Sequence, residues 1–140
     1  MARWYGYNKK NNVRVVGATQ VVIDGITFDS KLEGHMYTLL RNYGKVEFTR
    51  QHKFILQPSF KSTLTGKHIR EIAWFVDFYI PSLKMIIDPK GHPTEIFKQK
   101  FKIMQYKIAT DVFDIDHILL PRTPKQCVTV LNTVIYEHCK

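Results

Sequence analysis

Apolar residues along this chain recur with two different periods, and the changes from one to the other mark out its elements. "QVVIDGITFDS" is apolar on either side of Asp24-Gly25, a dipeptide that favours the tight turn of a hairpin, and it predicts strands Val21–Ile23 and Ile26–Phe28. In "SKLEGHMYTLLRNYG", Leu32, Met36, Leu39, Leu40 and Tyr43 follow helical spacing, and Gly44 is a natural stop. "KVEFTRQHKFILQP" reads as a strand broken around Gln51-His52, and "SFKSTLTGKH" as a polar turn or loop. The strongest strand signals are "REIAWFVDFYI" and "KMIID", joined at Pro81-Ser82. Thr94 can cap a second helix that carries Phe97, Phe101, Met104 and Ile108 on one side. "FDIDHILL" predicts another strand, and Thr123-Pro124 opens a C-terminal helix.

The order is hairpin, helix, strands, helix, strand, helix. That order predicts an α/β or α+β domain built on a central mixed sheet flanked by helices. The chain has 140 residues, 44% of them hydrophobic, which suits one core and leaves little room for a second. A single domain over residues 20–140 is expected, preceded by an arm over residues 1–19. No apolar run approaches the roughly 20 residues that cross a bilayer, and "MARWYGYNKKNNVR" lacks the apolar stretch of a secretory signal. The expectation is a soluble, cytoplasmic protein with no membrane partner. Cys127 and Cys139 lack metal-site spacing and are expected to be reduced packing residues.

Charge changes the picture. Lys and Arg number 21 against 12 Asp and Glu, a net charge of +9, which favours a polyanionic partner and nucleic acid before membrane. Arg3, Lys9, Lys10 and Arg14 fall in the arm, interleaved with Trp4, Tyr5 and Tyr7 and with no acid. Such a segment can neutralise phosphates and stack on bases, or be a plain solvated tail.

Candidate chemistry lies in "MIIDPKG". If the preceding hairpin turns between Ser82 and Leu83, Asp77 lies directly across from Asp88, whether the loop is Ser82-Leu83 or Pro81–Lys84. Opposed side chains have Cβ atoms roughly 4.5–5.5 Å apart, where like charges repel. A divalent cation reverses that repulsion, and two carboxylates with a backbone carbonyl and waters suit Mg²⁺. Lys90, two residues past Asp88, shares its face and can hold a phosphate oxygen or position a water. The plain alternative is an ordinary Asp88–Lys90 ion pair with a satisfied Asp77. Glu33 is open to two readings as well. "SKLE" fits a capping box, with Ser30 as N-cap, yet helical spacing sets Glu33 beside Leu40 at the border of the apolar face. In "TEIFKQKFKIMQYKI", Lys98, Lys100, Lys102 and Lys107 accompany only Glu95, and the helix would start close to Asp88.

Taken in order, Glu33, Asp77 and Asp88-Pro89-Lys90 resemble the PD-(D/E)xK nuclease superfamily. "VVIDGITFDSKLEG", "QHKFILQPSF", "VDFYI" and "IDPKGHPTEIFKQKFKI" are similar to a family of small phage-encoded proteins within it, over about residues 20–108. Val76 stands where the nominal motif has proline, and Pro89 where it has an ordinary strand residue. Proline cannot donate to a ladder, so Pro89 is expected at an edge or strand end.

The resemblance implies a restriction-endonuclease-like core over residues 20–140 and Mg²⁺- or Mn²⁺-dependent phosphodiester hydrolysis that leaves 5′-phosphates. Asp77, Asp88 and the Pro89 carbonyl would bind the metal. Glu33 would assist it or orient the water, and Lys90 would position the nucleophile. Gln51 is a weaker candidate for the site. Lys98, Lys100 and Lys102, with Arg3, Lys9, Lys10 and Arg14, would bind DNA. Relatives in the superfamily include Holliday-junction resolvases, so the implied partner is a four-way junction and the implied state a homodimer. Val128, Leu131, Val134 and Ile135 would then pack either against a second subunit or into the chain's own core. A nuclease without junction preference and a catalytically silent nucleic-acid-binding module are the alternatives.

Overall fold

Asp24 and Gly25 both adopt left-handed backbone, φ 53° and 74°, so the first hairpin closes through the turn its sequence predicted. It joins β1 (Val21–Ile23) to β2 (Ile26–Phe28), in a computed structural model that describes residues 19–140. The predicted arm therefore lies, apart from Thr19, outside the described residues, together with Arg3, Lys9, Lys10 and Arg14. Helix α1 (Lys31–Tyr43) follows, with Ser30 Oγ accepting the Glu33 amide and Gly44 ending it at φ 65°. A Cβ on Gly34 would meet Val21 and Ile23 side-chain carbons at 2.8 and 2.9 Å, so this glycine lets the hairpin rest against α1.

Strand β3 (Thr49–Gln57) leads into two short strands, β4 (Phe60–Lys61) and β5 (His68–Ile69), and then into β6 (Ile72–Ile80). The segment expected as a loop is thus a small antiparallel ribbon. Its two-residue strands are too short to show period-two alternation, and the Ser, Thr and Gly between them belong to the turn. One 3₁₀ turn (Pro81–Leu83), with Lys84 left-handed at φ 49°, connects β6 to β7 (Met85–Ile87). Helix α2 (Glu95–Ala109), β8 (His117–Leu119) and α3 (Pro124–His138) complete the order. Thr94 and Thr123 cap the two helices as their sequences suggest.

The central sheet runs β3-β6-β7-β8, antiparallel except for the parallel β7–β8 pair. This is an α+β fold, a mixed four-stranded sheet flanked by three helices and consistent with a restriction-endonuclease-like core. One apolar cluster joins Phe28, Met36 and Leu40 to Phe78, Ile80, Met85 and Ile87, and to Cys127, Val130 and Val134 of α3. The other joins Phe54, Leu56, Trp74, Val76 and Ile86 to Phe97 and Met104 of α2. Helices α1 and α3 therefore cover one face and α2 the opposite one. Val134 closes the chain's own core, whereas Val128 is exposed, and Leu131 and Ile135 are half-buried. Cys127 is buried as expected; Cys139 is exposed and is not a packing residue.

One irregularity positions the site. Val76 and Phe78 have the same parity, so a regular strand would send both to one face. Instead Val76 joins the α2 side and Phe78 the α1–α3 side. Across from them, Arg50 pairs with Phe78 and His52 with Val76, and Gln51 between them is left-handed at φ 53°. Both strands exchange faces at the Gln51–Asp77 position. The predicted break at Gln51-His52 is this twist: the Gln51–Asp77 pair is missing from the ladder, whose register is unchanged across it.

Candidate active site

Asp77 stands where its two strands exchange faces, and so belongs to neither apolar cluster. The β6–β7 register pairs Phe78 with Ile87 and Ile80 with Met85, which carries Asp77 to a position opposite Asp88. The four-residue link Pro81–Lys84 preserves this parity, as expected. Beyond Ile87 the ladder gives way to a side chain: the Asp77 amide donates to Asp88 Oδ1 at 3.1 Å. The two acids meet on one side of the sheet.

Strand β7 continues past its paired residues along β8. The Asp88 amide donates to the Leu119 carbonyl at 2.9 Å and the Lys90 amide to the Pro121 carbonyl at 3.0 Å. Since amides alternate in direction, the position of Pro89 is one whose N–H would face β6, where pairing has already stopped. Proline therefore costs no ladder bond, and Lys90 keeps the orientation that plain alternation gives it. Its Nζ lies 3.2 Å from Asp88 Oδ2 and 5.1 Å from the centre of the Phe97 ring, in the first turn of α2.

Asp88 is fully buried, and its Oδ2 accepts no hydrogen bond among the described residues. The close Lys90 ammonium is within ion-pair distance but does not meet hydrogen-bond geometry. Burial, and then the nearby Asp88 and Glu33 charges, push the Asp77 carboxyl well above the usual carboxylate range. Burial lowers the Lys90 ammonium, but Asp88, Asp77 and Glu33 together outweigh it, and the net shift is upward. Glu33 is raised to about 7, chiefly by burial and then by Asp29, with Arg50 opposing. Glu33, Asp77, Asp88 and Lys90 thus lie within one another's fields. Partly buried, these charges are screened less than they would be in water.

Glu33 realises only half of the predicted capping box. Ser30 Oγ takes the Glu33 amide at 3.1 Å, while the Glu33 carboxylate faces Arg50 Nη2 at 3.8 Å. Arg50 is a residue the sequence did not single out. It lies over the Phe28 ring, 4.4 Å from its centre, and its buried Nε has no hydrogen-bond partner among the described residues. The available signal was its place beside Gln51 in "TRQHKF". Gln51 itself reaches the site: its side-chain amide donates to Asp77 Oδ1 at 3.0 Å.

The lysines of α2 do not act as one patch. Lys98 and Lys102 are one turn apart on an exposed face, and Lys98 pairs with Glu95 at 3.0 Å. Lys100 lies on the other side, half-buried, where desolvation and the Lys90 charge lower its pKa.

Asp77, Asp88 and the Pro89 carbonyl are the groups that could hold a Mg²⁺ or Mn²⁺ ion that keeps several waters; the observation bearing on this is the buried Asp88 Oδ2, which pairs with Lys90 at 3.2 Å and accepts no hydrogen bond among the described residues. Among the described residues no group of three or more His, Cys, Asp or Glu is placed so that it could hold a metal ion, so Glu33 does not complete a three-carboxylate set with Asp77 and Asp88. A depression of about 430 Å³ lies elsewhere, lined by Val46, Glu47, Phe48, Thr49 and Pro81, and contains none of the clustered acids. A polymeric substrate needs an open surface rather than an enclosed cavity.

No helix among the described residues is long and apolar enough to cross a membrane. The family model that matches the chain, over residues 14–123, is described as a protein of unknown function (DUF1064). No curated protein matches the chain, and no solved structure matches it.

Proposed function

We propose that this chain, which belongs to the DUF1064 family, is a metal-dependent DNA endonuclease. The observation that carries the proposal is the buried Asp88, set against Asp77 across adjoining strands, with Lys90 Nζ 3.2 Å from an Oδ2 that accepts no hydrogen bond among the described residues. A structural ion pair has no use for the second acid. A net charge of +9 supports a polyanion as substrate.

Mg²⁺ or Mn²⁺, when bound, would supply Lewis acidity to the phosphate and acidify a water. Asp77 and Asp88 would hold the ion, with the Pro89 carbonyl. Lys90 binds a phosphate oxygen or positions the water on the open side of the pair. Glu33, whose pKa burial raises to about 7, would take the proton lost by the water as its oxygen attacks phosphorus. The P–O3′ bond breaks, the departing 3′-oxygen takes a proton from solvent, and the other strand end keeps a 5′-phosphate.

Within this class the substrate we propose is a four-way junction cut by a homodimer, in line with the resemblance to small phage nucleases. A second reading is a nuclease without junction preference, which needs no second subunit; Val134 of α3 is committed to the chain's own core, while Val128 is exposed.

The test incubates the protein with a four-way junction, a linear duplex and a single strand, each with and without Mg²⁺. Paired symmetric nicks in the junction alone support resolution; equal cutting of all three supports the second reading. Asp88→Asn is expected to bind DNA and cut none of them. Full activity of that variant would overturn the proposal.

A further inference from the structure

Residues 60–70, "FKSTLTGKHIR", contain three Lys or Arg, one His and no acid, and all but Ser62 are exposed. They form the β4–β5 ribbon, which prolongs the β3–β6 hairpin beyond the body of the sheet. Phe60 pairs with Ile69 and Lys61 with His68. By alternation, Lys61, His68 and Arg70 share one face, and Phe60 and Ile69 the other. Lys61, Lys67 and Arg70 form no ion pair with an acid among the described residues, whereas Lys53 at the base is taken by Glu71 at 2.7 Å.

The tip is built to hold one side chain outward. Ser62 Oγ accepts the amides of Leu64 and Thr65 at 3.2 and 3.3 Å, and the Ser62 carbonyl takes the Gly66 amide at 2.8 Å. Gly66 supplies the left-handed backbone, φ 70°, that closes the turn. Leu64 is left 94% exposed. A large apolar side chain displayed this way among cations fits a nucleic-acid groove, where apolar wedges insert between base steps while basic groups hold the phosphates.

We propose that the β4–β5 ribbon is a DNA-gripping wing, with Lys61, Lys67 and Arg70 on phosphates of a duplex and Leu64 entering its groove. The choice of DNA as the occupant rests on the proposed function; the exposed basic surface does not. Six residues of strand separate Gln51, at the acidic cluster, from Gln57, at the ribbon's base. At about 3.3 Å per residue this is roughly 20 Å, or about six base pairs. The wing therefore contacts duplex about half a turn or more from the cut.

The test compares the unaltered protein with Lys61→Ala/Lys67→Ala/Arg70→Ala and with Leu64→Ala, using a 30-base-pair duplex without divalent metal. The triple variant should bind about tenfold or more weakly, and its salt dependence should lose about 0.9 of a logarithmic slope unit for each phosphate contact removed. Leu64→Ala should weaken binding with its salt slope unchanged. Melting temperatures should hold, because these side chains are exposed. Unchanged affinity and slope in both variants would overturn the wing, as would absence of DNA binding by the unaltered protein. Dimerisation that depends on the ribbon, read by sedimentation with DNA affinity unaltered, would assign the surface to a second copy and also overturn it. The two proposals fail separately: ribbon-dependent binding with no metal-dependent cleavage removes the nuclease and leaves the wing, and cleavage with ribbon-independent binding does the reverse.

Discussion

Gln51 donates its side-chain amide to Asp77 Oδ1 at 3.0 Å from a backbone held at φ 53°. A residue with a Cβ in left-handed backbone carries a cost of about 1–3 kcal/mol, sustained only when its surroundings fix it. The same residue turns both strands over, which presents Asp77 at the surface of the sheet. In the proposed site this bond would fix the direction of the Asp77 carboxylate. Gln51 is a positioning residue in this arrangement.

Gln51→Gly should therefore separate strain from function. Glycine relieves the backbone, so thermal stability should change by no more than about 1 kcal/mol in either direction. The lost charge-assisted hydrogen bond should raise the Mg²⁺ concentration for half-maximal cleavage by about tenfold. Metal titration of cleavage rates checks it, and an unmoved midpoint would remove Gln51 from the site.

Asp88 has two duties that substitutions can divide. Its Oδ1 accepts the Asp77 amide, and its charge repels Asp77 and holds Lys90. Asp88→Asn keeps the acceptor and deletes both the repulsion and the ion pair with Lys90, so in metal-free buffer it should be more stable than Asp88→Ala. Asp88→Ala leaves a backbone donor without its partner and should cost about 1–3 kcal/mol. Urea unfolding of both variants distinguishes the effects; equal stabilities would show that the amide bond contributes nothing.

Local chemistry was legible in the sequence and tertiary compromise was not. Asp24-Gly25, Ser30, Gly44, Thr94 and Thr123 act within a few residues of themselves, and each marks the element it was expected to mark. The opposition of Asp77 and Asp88 was legible because both loops considered for Pro81–Lys84 have the same parity. The exchange of faces at Gln51 was not, since glutamine has no preference for left-handed backbone and only the assembled sheet imposes it. Arg50 escaped for a similar reason: its partner, Glu33, is set by packing of α1 on the sheet. Lys98, Lys100 and Lys102 read as one basic run, but helical geometry sends Lys100 to the side opposite the other two.

Phe97 confines Lys90. Its ring lies 5.1 Å from the ammonium, stacks on Phe101 at 5.9 Å and meets Trp74 edge-on at 5.7 Å. Phe97→Leu preserves most of the buried volume and removes the ring face, a cation–π contact of about 0.5–2 kcal/mol. The expected result is a several-fold fall in kcat with KM for DNA nearly constant, beside a modest loss of stability. A change in melting temperature alone, with kcat intact, would make Phe97 a packing residue and nothing more.

Glu33 links stability to pH in a direction opposite to that of a salt-bridged carboxylate. Its folded pKa is about 7 against an ordinary 4.5, so the folded protein favours the protonated form. The contribution is fully present below about pH 4.5 and is lost as pH rises through 7. Over that window the shift corresponds to about 3 kcal/mol as an upper bound, since Arg50 and Lys90 share the field. Glutamine mimics the protonated carboxyl at every pH. Glu33→Gln should therefore match the parent near pH 4.5 and exceed it in stability at pH 8, measured by urea unfolding without divalent ions. Mg²⁺ should narrow the gap at pH 8, because a nearby cation stabilises the ionised parent and has no carboxylate to act on in the variant. A difference between parent and variant that stayed constant from pH 4.5 to 8 would mean that Glu33 does not titrate in this range, and would deprive it of the proton-accepting role assigned above.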